Sequence, residues 1–144
     1  MHPEMRLQMG YPSVANELEI LSAESSSYNN LEFENPVPQE EIVKIQETVS
    51  QVFVEQTILE YILDIITATR TESEFKAGIS VRGSLALKKA SQARALYFGR
   101  DFVIPSDVSS ICSAVLSHRL NLRRPSSDAL EERRLVEGIV TRIL

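Results

Sequence analysis

The sequence predicts an all-α protein, a small helical bundle with a short extended segment at its amino end. Three observations carry that expectation. Apolar residues recur at helical spacing in several consecutive stretches, each bounded by proline, glycine or a small polar residue. The 144 residues hold only five glycines, four tyrosines, five phenylalanines and no tryptophan, a poor supply for a β-sandwich or barrel. Hydrophobic residues at 43% and charged residues at 24% are ordinary soluble usage, and the length suffices for one domain to bury a core without staples.

Met5 to Gly10 reads as a short extended piece that Tyr11-Pro12 stops, and Ser13 suits the N-cap of a helix over Val14 to Leu21. Residues 22–37 read as a mobile loop. From Ser22 to Asn35 the composition is Ser, Asn and Glu, whose side chains compete for backbone hydrogen bonds. Beyond Pro36 and Pro38, Ile42, Ile45, Val49 and Val52 repeat at helical spacing, behind Gln39, Glu40 and Glu41, which suit the positive end of a helix dipole. Glu55 to Arg70 carries Ile58, Leu59, Ile62, Leu63, Ile65 and Ile66, a stripe broad enough for the middle of a bundle, and is expected to be the most buried element.

A polar loop at Thr71 to Ala77 follows. Gly78 permits a turn, Ser80 can cap, and a helix runs from Val81 to about Phe98 before Gly99 ends it. Ala86, Ala90 and Ala93 are placed on one face, where another helix can approach closely, with Leu85 and Leu96 widening it. Phe102-Val103-Ile104 is too brief for a strand. Pro105 opens the next helix, whose buried face is Val108, Ile111, Cys112, Val115 and Leu116. A charged last helix, Ser127 to Ile143, contributes Leu130, Val136, Ile139, Val140 and Ile143.

Several function classes fall away. No apolar run reaches the roughly 18 residues of a membrane span, and the polar start has no signal-peptide core. A single cysteine, Cys112, forms no intrachain disulfide and, with only His2 and His118, assembles no zinc site; this suits a reducing cytoplasm. Cys112 lies on an apolar stripe, the place of a small buried hydrophobe rather than a nucleophile. No GxxxxGK(S/T), GxGxxG, HExxH or CxxC occurs. The net charge of −5 gives no general pull toward nucleic acid. The local stretch His118 to Arg124, with Arg119, Arg123 and Arg124, keeps open a non-enzymatic helical module that contacts nucleic acid or an acidic protein, although no aromatic residues interleave with the arginines.

One segment points to chemistry. In Gly78-Ile79-Ser80-Val81-Arg82 a turn is followed by a cap and an arginine in the first helical turn, so a formal charge is added to the free N–H groups and partial positive charge of a helix start. That combination suits phosphate. An arginine paired with a nearby carboxylate, or simply solvated, is the alternative.

The stretch GISVRGSLALKKASQARALYFGRDFVIPSDVSSICSAVLSHRLNL resembles the carboxy-terminal lid of MoxR-family AAA+ ATPases, whose pattern reads G-A-S-P-R, an Ala- and Leu-rich helix, G-R-D-Y-V, P-x-D-V and L-x-H-R-L. Five landmarks stand in order at matching spacing. Upstream, MRLQMGYPSVANELEIL resembles the family's exit from its last core strand, and YILDIITATR its central lid helix. The departures are Ile79 and Val81, where the family has Ala and Pro, and Gly83.

The resemblance implies that residues 1–12 are the extended end of an AAA+ core and its hinge, and 13–144 the lid. It makes Arg82 the sensor-two residue, which reaches to the phosphates of ATP bound in the core of the same subunit, and Tyr11 and Ile20 walls near the adenine; core packing is the other reading of both, and the favoured one for Ile20. ATP and Mg2+ belong to the full-length protein, none being bound by this chain alone. Implied partners are the upstream core, neighbouring subunits of a ring, a hexamer, and client proteins matured or activated in a chaperone-like way, among them proteins with von Willebrand factor A domains. Gly99-Arg100-Asp101 reads as a structural turn in which Asp101 hydrogen-bonds to the backbone, with Arg100 either solvated or facing a neighbouring subunit.

Overall fold

A computed structural model of the chain describes residues 4–7, 9–22, 35–124 and 130–143. Six α-helices follow one another among them: α1 (Val14–Ser22), α2 (Gln39–Gln51), α3 (Gln56–Thr71), α4 (Val81–Tyr97), α5 (Pro105–Leu116) and α6 (Glu131–Ile143), with a 3-10 turn at Ser117–Arg119 after α5. The all-α expectation holds. Residues 23–34 of the expected loop, and the expected helix start at Ser127, lie outside the described residues.

The core is a sandwich of helices with α5 at its centre, packed between α4 and α6 and against α3. It therefore exceeds α3 in burial, contrary to expectation: Asp107, Val108, Ile111, Cys112, Ser113, Val115 and Leu116 are all buried. Helix α3 buries Ile58, Ile62, Ile65, Ile66 and Thr69 but leaves Leu63 at 55% exposure. Its stripe is as wide as the sequence suggested, yet α2 packs on α4, so one edge stays uncovered. Helix α2 buries only Val49, leaving Ile42 and Ile45 exposed, while Val52 just beyond it enters the core.

In α4 the buried row is Gly83, Leu87, Ser91 and Ala95, with Ala86 beside it. This is an i, i+4 ridge, and its small members let α5 come close. Leu85 and Ala93, expected on that face, are exposed. Leu85 stands two residues from Gly83 and Leu87, and Ala93 two from Ser91 and Ala95, about 200° round the helix from the buried row, which turns each to the opposite side. Gln92 extends the same junction, its Nε2 donating to the Val52 carbonyl at 2.7 Å.

Two helix ends follow the expected capping rules and one does not. Ser13 Oγ accepts the Asn16 N–H at 3.2 Å, the expected cap of α1. Gly99 takes φ 72°, and the N–H groups of Gly99 and Arg100 return to the carbonyls of Leu96 (2.8 Å) and Ala95 (2.9 Å), a Schellman end for α4. Ser80 occupies the N-cap of α4 but its side chain makes no capping hydrogen bond. No helix among the described residues is long and apolar enough to cross a membrane.

Cys112 is fully buried, and burial pushes its thiol up to about 12. The folded chain is expected to resist a disulfide reagent at pH 8 and to react fully in urea, because the attacking species is the thiolate. Rapid labelling without denaturant contradicts this placement.

Candidate functional site

The site is built where α3 hands over to α4. Thr69 Oγ1, fully buried, donates to the Ile66 carbonyl at 2.6 Å and accepts the Ile79 N–H at 3.1 Å. Arg70 Nε donates to the Ile79 carbonyl at 3.0 Å. Gly78 must lack a side chain, since a Cβ there would overlap the Arg70 backbone. Ile79 itself is 2% exposed. The chain then emerges: the Ser80 carbonyl accepts the N–H groups of Gly83 (2.9 Å) and Ser84 (3.2 Å), which starts α4.

Among the described residues the N–H groups of Val81 and Arg82 have no partner, and the exposed Arg82 guanidinium makes no hydrogen bond or ion pair. Of the alternatives for Arg82, the carboxylate-paired one is thus not what this fold contains. Arg82 lines a cleft of about 610 Å3 together with Gly78, Ser80, Val81, His118, Arg119 and Asn121. An unpaired cation beside two free N–H groups at the positive end of a 17-residue helix matches a phosphate in charge and donor geometry.

Arg119, from the basic stretch, turns inward. Its Nε donates to the Val115 carbonyl at 3.1 Å, and Nη2 lies 3.5 Å from the Glu4 carbonyl oxygen. Arg123 and Arg124 are exposed. The arginines therefore do not form one outward-facing strip.

Two of the departures from the lid pattern are coupled. A Cβ on Gly83 would overlap Cγ2 of Ile79, so the larger residue at 79 occupies the space that the glycine leaves. Gly83→Ala is expected to cost about 1–3 kcal/mol through overpacking, and Ile79→Ala about 2–5 kcal/mol through a cavity. Together they should cost less than the sum of the two, as read from urea midpoints; strict additivity would mean the side chains do not share this space.

The second cluster is Asp107 with Arg100 and Arg94. Asp107, 1% exposed, receives Arg100 Nη1 at 2.6 Å and Nη2 at 2.7 Å, lies 3.6 Å from Arg94 Nε, and accepts the Ile104 N–H at 3.0 Å. Arg100 thus neither floats in solvent nor stands free for a neighbour. The turn's carboxylate is Asp107, not Asp101: it is the third residue of α5, where a side chain reaches back to the helix start, whereas Asp101 is exposed and offers its backbone carbonyl to the Phe53 N–H at 2.7 Å. Proline two residues before Asp107 was the available signal.

The structure does not bring Tyr11 or Ile20 to the Arg82 cleft. Tyr11 is fully exposed, Ile20 is 52% exposed, and α1 buries no residue. Thr69 and Arg70 were missed because a polar residue at a helix end carries no periodic signal of its own.

Fold and site together define a helical lid of the AAA+ class. The family model of the AAA lid domain matches residues 67–139, half of the chain. The uncharacterized protein YeaC of Bacillus subtilis (strain 168) is 39% identical over 117 residues, covering 81% of this chain and 37% of that protein. Chaperone MoxR1 of Mycobacterium tuberculosis is 30% identical over 148 residues, covering 96% of this chain and 38% of its own. An ATPase candidate from Cytophaga hutchinsonii, solved at 2.00 Å resolution, superposes over 100% of this chain and 48% of its own with a TM-score of 0.72; its 23% identity supports the fold alone. The chain belongs to the AAA lid domain family, as a lid of the MoxR type. It spans a little over a third of the length of the curated relatives it matches.

Proposed function

We propose that this chain closes over ATP held by the core of a MoxR-type AAA+ ATP hydrolase, with Arg82 as its sensor-two residue. The observation that carries the reading is an exposed, unpaired guanidinium in the first turn of α4, beside the free N–H groups of Val81 and Arg82. Such a group is held ready for an anion rather than satisfied within its own fold.

In this reading residues 1–12 are the end of the core and the hinge, and residues 13–144 the lid. The apolar side chains that α1 and α2 leave in solvent, Leu18, Leu21, Ile42 and Ile45, form surface for the core to cover, with Tyr11 and Ile20 at the adenine. The core supplies the Walker residues, Mg2+ and the attacking water. Bound ATP supplies the phosphoryl group to be transferred. Arg82 neutralises charge that develops there, a contribution larger in the transition state than in the ground state. Loss of the contact after hydrolysis lets the lid rotate against adjoining subunits of a ring, a hexamer. Kinship with a protein named as a chaperone supports a chaperone-like role in maturing or activating partners, von Willebrand factor A domain proteins among them. The lone, buried thiol suits a cytoplasmic setting.

The test is ATP turnover by the full-length protein with and without Arg82→Ala; unchanged turnover removes the sensor assignment.

A further inference from the structure

We propose that Thr69 and Arg70, at the end of α3, are positioning residues that clamp the Ile79 residue and thereby set where Arg82 stands. The inference rests on the sensor reading of Arg82 and extends it to two side chains that do not line the Arg82 cleft.

Ile79 is held on every side. Its N–H goes to Thr69 Oγ1 (3.1 Å) and its carbonyl to Arg70 Nε (3.0 Å). Its side chain fills the slot left by Gly83, and the preceding Gly78 rests directly on the Arg70 backbone. Nothing comparable holds the next residues: Ser80 and Val81 are exposed, and the Ser80 side chain makes no cap. The first turn of α4 therefore takes its position relative to α3 through Ile79, three residues before Arg82.

The chemistry of both clamp residues fits this use. The Thr69 hydroxyl has one proton and spends it on the Ile66 carbonyl at 2.6 Å, which fixes the oxygen's orientation and leaves a lone pair aimed at the Ile79 N–H. A methyl group in its place would strand a buried N–H. Arg70 pairs with no carboxylate among the described residues and uses its Nε on a peptide carbonyl, so its contribution is geometric. The other half of the loop is pinned separately, by Lys76 N–H to the Asn121 carbonyl (2.9 Å) and Arg123 N–H to the Glu74 carbonyl (2.8 Å), so losing the clamp would free residues 78–82 without unravelling the rest. A charge acting on a phosphoryl group tolerates displacements of only about half an ångström, so this freedom would reach turnover.

The test uses the full-length protein and two readouts. Amide exchange at Ile79, Gly83 and Ser84, whose N–H groups are hydrogen-bonded, reads the clamp directly, and Thr69→Val is expected to speed it roughly tenfold while Thr69→Ser keeps it near wild type. Arg70→Met, at an exposed position, is expected to act in the same direction and serves where Thr69→Val folds poorly. Turnover at saturating ATP is expected to fall roughly tenfold in Thr69→Val and Arg70→Met, to recover in Thr69→Ser, and to fall no further when either change is added to Arg82→Ala. Unchanged exchange overturns the clamp, as does a turnover loss that persists at full size in the Arg82→Ala background. Faster exchange with normal turnover in Arg82→Ala overturns the sensor reading instead, and with it the purpose assigned to the clamp.

Discussion

In the full-length protein, Arg82→Ala is expected to lower ATP turnover roughly a hundredfold, the scale of removing one preorganised charge-stabilising donor from a transition state. The same change should leave the chain's melting temperature almost where it was. Arg82 is exposed and makes no contact that the fold needs, and surface substitutions of that kind stay within about 0.5 kcal/mol. This separation of effects is the signature of a residue held for a ligand. A destabilised variant that regained turnover on cooling would instead assign Arg82 to the fold. Arg82→Lys should recover part of the loss, because the charge persists while the planar, two-pronged donor set does not. The helix-start N–H groups of Val81 and Arg82 remain in both variants, so binding of ATP should suffer less than its hydrolysis.

How much of this was legible in the sequence depends on the type of interaction. Helix positions were legible because they follow from apolar spacing and from local terminators such as Pro105 and Gly99, each acting within a turn of itself. Which helix would be central was not. Leu63 and Ile66 read alike as members of one stripe, yet Ile66 is fully buried and Leu63 is 55% exposed, a difference made by a neighbouring helix's placement. Arg82 was legible as a charge at a helix start, since that is a local arrangement. Its freedom from partners was not, because pairing depends on where distant carboxylates end up. Arg100 and Asp107 show the converse: both stand at landmarks of the lid pattern, but only the folded chain reveals that the two landmarks bind each other. The unusual Ile79 and Gly83 likewise read as two unrelated departures until the side chain of one was seen in the space of the other.

Asp107→Ala is expected to cost about 3 kcal/mol, enough to lower the melting temperature by roughly 10 °C in a domain of this size. One carboxylate ties the start of α5 to the end of α4: it accepts both Arg100 nitrogens, faces Arg94, and satisfies the Ile104 N–H. Its loss leaves Arg100 unpaired but at 23% side-chain exposure, where water recovers part of the charge's solvation; this holds the cost to the low end of the range for broken buried pairs. Arg100→Ala works from the other side, leaving a 1%-exposed carboxylate with only Arg94 and one N–H, so the double substitution should cost less than the two singles together. Burial alone would push the Asp107 carboxyl up. The Arg100 hydrogen bonds, the Ile104 N–H and the charges of Arg100 and Arg94 outweigh it and hold the group below the ordinary carboxylate value. A native value below the unfolded one, about 4, means that the unfolded chain binds the extra proton first. The contribution is therefore complete above that pH and is lost as the pH falls from there through the depressed native value. Urea midpoints at pH 7 and pH 3 check the sign: the wild-type chain should lose more stability over that interval than Asp107→Asn, which has no proton to gain at this position, and parallel losses would place the acid sensitivity elsewhere.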